Sequence, residues 1–287
     1  MNYIELYKMQ LEKDEKVYET AIFKEYCALN CFLNDFARPN STIKKSILNE
    51  ISLLSDQDIE RIEQSVVLLK ESIAQLTKEK NILFEEFSID GVVLMIGDRT
   101  IDSHGILVEN KSYLVIDVWT YASSMENYNP ISFLVHEVTH AIHYKINPEM
   151  YFSNYTNNEE KVIKRIFVEG LATNLTMTVT DESEADVFWL GYLNKQEVDK
   201  WKLYSKESII VYSEALNRLL THHIWDQNHQ YQLFSIFDPE KLWESRLAYF
   251  FGYEIVEIFK DTSSIEQLFN LSYEEVLPKV KKYFSMK

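Results

Sequence analysis

Residues 133–143 read Phe133-Leu134-Val135-His136-Glu137-Val138-Thr139-His140-Ala141-Ile142-His143. Histidines four apart on a helix lie on one face, one turn and about 6 Å along the axis. Two imidazoles so placed can converge on one metal ion. Zinc suits them, because it accepts nitrogen and oxygen ligands in a tetrahedron. Glu137 follows the first histidine, where a carboxylate can take a proton from water activated by the metal. The apolar residues around the histidines are what a buried active-site helix requires. Two core histidines satisfied by hydrogen bonds are the plainer alternative.

A zinc site open to catalysis needs a third protein ligand. A histidine six residues beyond His140 would supply it in the metzincin pattern. That position is Ile146, and His143 stands where the pattern has glycine, so the pattern fails. A glutamate on a later helix is the other option. Ile166-Phe167-Val168-Glu169-Gly170-Leu171-Ala172 offers Glu169, 29 residues after His140, as the one charge in an apolar stretch. A buried lone carboxylate is costly unless paired or bound to metal. A partly exposed or helix-terminal glutamate is the alternative.

Further candidates follow from spacing. Arg246, Tyr249 and Tyr253 recur at intervals of three and four and would share a helix face. Peptide hydrolysis builds negative charge on the carbonyl oxygen, which a phenol or guanidinium can stabilise. Tyr249 and Tyr253 are therefore candidates for that role and Arg246 for a substrate contact. Aromatic core packing accounts for the same spacing. His143 lies one turn beyond His140, for a contact behind the ligands, a contact with substrate, or packing. His222, His223 and His229 read as a solvated helix end.

The elements that must position these groups are mostly helices. Residues 3–37 predict one helix or two, followed by helices over about 42–54 and 55–78, the last capped by Ser55 and Asp58. The texture changes at Asn81. Gly91–Gly97 predicts a buried strand, and the stretches 106–109 and 112–118 predict a hairpin around Asn110-Lys111. Sheet is expected only over about 82–121. Pro130 suits the first turn of a helix reaching Ile146. Another helix is expected over 158–179 and several more over 183–287. The expected class is α+β and mostly helical, with a small mixed sheet before the His136–His140 helix.

The His-Glu-x-x-His helix and the later Glu-Gly-Leu-Ala helix resemble the gluzincins, the thermolysin-like clan of zinc metallopeptidases. A closer likeness is to a bacterial family of zinc-dependent proteases catalogued as a domain of unknown function. That family is similar also in a late Tyr-x-x-Gly-Tyr segment, here Tyr249–Tyr253. The likeness spans about residues 90–280. It implies a zincin-like core over 81–180 and a C-terminal helical subdomain over 181–287 that completes a cleft; the N-terminal helical region, 1–80, lies outside it. It further implies peptidase activity, and that His104–Val108 forms a sheet edge along which extended substrate pairs. The other reading kept is a zinc-stabilised binding or regulatory protein without turnover.

Composition narrows the classes. The 287 residues suffice for a sizeable core, and six glycines and five prolines argue against an all-β fold. A net charge of −16 repels phosphate, so nucleic acid is a poor partner; the same surface could favour cationic peptides, though a charged face that keeps the protein soluble is the plainer account, and a peptide or protein substrate is expected from the resemblance alone. No apolar run approaches the roughly 20 residues of a membrane span, and no basic start precedes an apolar run. Cys27 and Cys31, four apart on one helix, are expected as free thiols in a reducing cytoplasm. No nucleophile elbow, phosphate loop or dinucleotide fingerprint occurs.

Overall fold

The computed structural model describes residues 1–79, 82–85, 87–124, 128–236, 238–260 and 262–285. The sequence boundary at Asn81 lies outside them. The chain forms two compact units, Met1–Lys145 and Ile146–Lys287, and the division falls inside the 81–180 segment that the likeness treats as one piece.

The first unit begins with strand β1 (Tyr3–Glu5) and helix α1 (Leu6–Leu11). Helices α2 (Ala21–Leu33), α3 (Asn40–Leu53), α4 (Asp56–Lys78) and the short α5 (Ile82–Glu85) follow. Strands β2 (Gly91–Met95), β3 (Ser103–Val108) and β4 (Lys111–Asp117) then lead into α6 (Val118–Ser124) and α7 (Pro130–Ile146). The four strands form one mixed sheet in the order β1-β2-β4-β3. β1 and β4 run parallel to β2, and β3 runs antiparallel to β4 at the edge of the sheet.

Two expectations shift here. The sheet is not confined to 82–121, because Tyr3, Ile4 and Glu5 pair with Val92, Val93 and Leu94. Three residues are too few to show a period of two, and a helix follows at once, so the segment reads as helical by its own pattern. The hairpin turn is Glu109-Asn110, one residue earlier than expected, with both residues at positive φ (51° and 62°). That is the conformation of a two-residue hairpin turn that follows the strand twist.

Buried polar groups tie the helices to this sheet. Gln10 on α1 donates from Nε2 to the Ile96 carbonyl (2.9 Å) and accepts from the Ile96 amide (2.8 Å), so its side chain replaces a missing ladder partner. Asp98, just past β2, accepts from Asn30 Nδ2 (2.8 Å), Thr100 Oγ1 (2.6 Å) and Arg38 (2.5 Å). Asp117, at the end of β4, accepts from the Thr120 hydroxyl (2.7 Å) and the Trp119 amide (3.0 Å). Burial nevertheless pushes its carboxyl up to about 6. Ser55 and Asp58 form the expected capping box on α4. Both cysteines are free thiols.

The second unit is helical: α8 (Asn158–Val179), α9 (Glu184–Trp189), α10 (Lys195–His222), α11 (Gln227–Phe234), α12 (Leu247–Lys260), α13 (Ile265–Phe269) and α14 (Tyr273–Ser285). α8 and α12 make its most extensive helix contact. A Cβ on Gly170 would lie 2.0 Å from the Gly252 carbonyl carbon, and one on Gly252 would lie 2.1 Å from the Ile166 oxygen. Two glycines thus let one backbone lie on the other, so the Glu-Gly-Leu-Ala and Tyr-x-x-Gly-Tyr segments meet where they cross. No described helix is long and apolar enough to cross a membrane.

Gly252→Ala has a diagnostic sign. Alanine normally favours a helix by about 1 kcal/mol over glycine. Here the methyl meets only backbone, so denaturant unfolding is expected to show a loss of about 1–3 kcal/mol. Asp117 gives a pH signature. Its folded value lies above the ordinary 3.8, so its contribution to stability is fully present below about 3.8 and is lost as pH rises through about 6. The stability of wild type relative to Asp117→Asn is expected to decline between pH 4 and 7.

Candidate metal centre

Helix α7 is capped before its first turn by Asn129, whose Oδ1 accepts from the Ile131 and Ser132 amides at 3.0 Å. From Ser132 to Tyr144 every residue is buried, so the helix carries its polar groups into the interior. Ser112 on β4 donates to the Ala141 carbonyl (2.5 Å) and anchors the helix to the sheet.

His136 and His140 are 3% and 1% exposed. Their rings meet edge to face, with an interplanar angle of 81° and centroids 4.9 Å apart. The two Nε2 atoms are 3.2 Å apart. Two nitrogens bound at 2.0–2.1 Å to one tetrahedral ion would be about 3.3 Å apart, so this separation fits zinc. The same distance allows one imidazole to donate to the other.

Glu137, 7% exposed, points to β3. Its Oε2 lies 3.7 Å from His104 Nδ1. His104 Nε2 is 2.9 Å from the Tyr144 hydroxyl, and the His104 ring centroid is 4.4 Å from that of His140. His104, Glu137 and His140 therefore form a buried group whose ligand-type atoms lie within 4.8 Å of one another. Gly105 makes this approach possible. A Cβ there would lie 2.4 Å from the Ala141 nitrogen, so β3 rests directly on the α7 backbone.

His104 entered the sequence reading only as part of a substrate-pairing edge, and the structure makes it a neighbour of the motif. β3 is the edge strand of its sheet, as expected, though His104 and Gly105 are themselves buried. The local signal beside His104 is its glycine neighbour, which permits a close backbone approach. Nothing local says which helix is approached.

His143 is 1% exposed. Burial, and secondarily His140, lowers its imidazole to about 3, so it is neutral at any physiological pH. Its ring stacks beside that of Tyr144, with centroids 6.1 Å apart.

The remaining candidates belong to the second unit. Glu169 lies in the middle of α8, one residue before the glycine crossing, and is 7% exposed. It is neither helix-terminal nor on the surface. On the same helix Arg165 is buried, with its guanidinium 4.0 Å from the centre of the Phe234 ring. Burial raises the Tyr155 phenol, Arg165 opposes that shift and Glu169 adds to it, so both charges reach the phenol. Tyr249 and Tyr253 sit four apart on α12, half-buried. Arg246 precedes the helix with a left-handed backbone (φ 55°) rather than opening its face. Its guanidinium lies 3.9 Å from the Tyr249 ring centre and 5.3 Å from that of Trp189. Tyr253 packs edge to face on Phe188 at 5.2 Å, and burial raises its phenol. His222 is exposed, and His223 caps α10 in a left-handed conformation.

Compared with protein-family models, curated proteins and solved structures, the chain matches none.

The Gly105 contact can be tested by itself. In Gly105→Ala the added methyl meets the backbone of α7, and either the strand or the helix must move. Unfolding is expected to cost about 1–3 kcal/mol less than in wild type. The His104 and His140 imidazole resonances are expected to shift together in NMR spectra.

Proposed function

We propose that the chain is a zinc-dependent peptidase of gluzincin type, in which His136, His140 and Glu169 hold the metal and Glu137 is the general base. The observation that carries this reading is the pair of buried Nε2 atoms 3.2 Å apart, with Glu137 on the adjoining helix position. The donor set, two imidazoles and a carboxylate, is one that zinc accepts while keeping a position open. Glu169 supports it as a buried carboxylate in the middle of α8, the kind of third donor that such a site needs.

A bound zinc ion supplies a Lewis acid that acidifies water and polarises a carbonyl group. The chain's own residues do the rest. Glu137 accepts a proton from the attacking water and delivers it to the departing amine. Its buried setting keeps bulk water from competing for that proton. Tyr249 or Tyr253 donates a hydrogen bond to the negative charge that grows on the carbonyl oxygen. In this reading the sheet, α7 and α8 supply the zincin-like core, and the substrates are peptides or proteins met in the cytoplasm.

The test combines metal content with turnover. Wild type is expected to purify with about one zinc per chain and to cleave members of a mixed peptide library. Glu169→Ala is expected to weaken zinc retention. Glu137→Gln is expected to keep the zinc and lose about 10²–10⁴ of the cleavage rate, the usual contribution of a general base. Of Tyr249→Phe and Tyr253→Phe, one is expected to lower kcat. Protein that holds no zinc under metal-replete conditions would refute the reading.

A further inference from the structure

The proposed base does not sit alone on its helix face. His104 reaches it from β3, and Tyr144 reaches His104 from the last turn of α7. Tyr144 Oη to His104 Nε2 is 2.9 Å, a hydrogen bond, and His104 Nδ1 to Glu137 Oε2 is 3.7 Å. All three side chains are buried.

The chemistry of the three groups decides which way the hydrogen bonds run. An ionised carboxylate only accepts, and a neutral imidazole has one N–H and one lone pair. If the N–H were on Nε2, the Nδ1 lone pair would face the Glu137 oxygen across a buried gap and repel it. With the N–H on Nδ1, its dipole points at the carboxylate and Nε2 accepts the Tyr144 hydroxyl proton. The 3.7 Å separation is longer than a hydrogen bond, as contacts of this kind often are until substrate binds.

We propose that His104 is a positioning residue: Tyr144 fixes its tautomer so that Nδ1–H faces Glu137 and holds that carboxylate in place for proton transfer. The pattern is that of a base oriented by a third group, which sequence spacing alone does not show. Gly105 belongs to the device, because only a residue without a Cβ lets β3 come close enough to α7 to bring His104 within reach. The role in turnover rests on the peptidase reading above; the contact between His104 and Glu137 does not.

The test therefore has two arms. In long-range ¹H–¹⁵N spectra of the full chain, with and without zinc, His104 is expected to carry its proton on Nδ1. Tyr144→Phe and Glu137→Ala are each expected to move it towards Nε2. In turnover assays His104→Leu is expected to lower kcat about 10-fold while KM and zinc content stay near wild type, since only the orientation of the base is lost. His104→Asn, whose amide N–H falls near the place of Nδ1–H, is expected to recover most of that loss. An Nε2–H tautomer in wild type would overturn the proposal, and so would a His104→Leu enzyme with unchanged kcat. If no zinc-dependent cleavage that needs Glu137 exists, the peptidase reading falls, and the tautomer arm still decides whether His104 holds Glu137.

Discussion

The first unit is organised around a backbone-to-backbone approach. β3 lies on α7 at Gly105, close enough that any side chain there would enter the Ala141 amide. The neighbouring groups depend on that approach. It places His104 beside Glu137 and against the His140 ring. It also holds a helix that would otherwise be expensive to bury. A helix with three histidines and a glutamate on buried positions needs a partner for each of them. Ser112 fixes the helix to β4 by the Ala141 carbonyl, one strand away from the same point. Strand, helix and polar cluster thus meet in one contact, held by the Gly105 approach and the Ser112 hydrogen bond.

The second unit uses the same device between two helices. Gly170 and Gly252 remove the side chains at the crossing of α8 and α12, so the carboxylate of Glu169 and the tyrosines of α12 are carried on two backbones in contact. The glycine in each motif serves the crossing, and the residues beside it carry the polar groups. This explains why the two short segments belong together without assigning chemistry to either glycine.

The sequence was most informative where structure is local. The His136–His140 spacing, the Pro130 start and the Ser55 cap each need only a few neighbours, and α7 and α4 form as their residues require. Glu169 stood out because a single charge in an apolar run has few cheap places to go, and it is buried in mid-helix. What was hidden depends on distant pairing. β1 is three residues whose partners lie at Val92–Leu94. The hairpin turn sits at Glu109 because the register of β3 on β4 requires it, although glutamate has no preference for positive φ. Arg246 at intervals of three from Tyr249 promised one helix face, and a left-handed residue broke it. His104 was legible only as part of a strand; its chemistry comes from the helix across from Gly105.

The central claim is that His136 and His140 share one ion through their Nε2 atoms. Zinc-edge X-ray absorption on zinc-loaded protein, with an anomalous map from crystals of the same material, tests it directly. The account predicts one ion bound to both Nε2 atoms at about 2.0–2.1 Å, with a carboxylate oxygen from Glu169 in the same shell. An ion held elsewhere on this acidic chain, or a shell containing neither of those nitrogens, would contradict it.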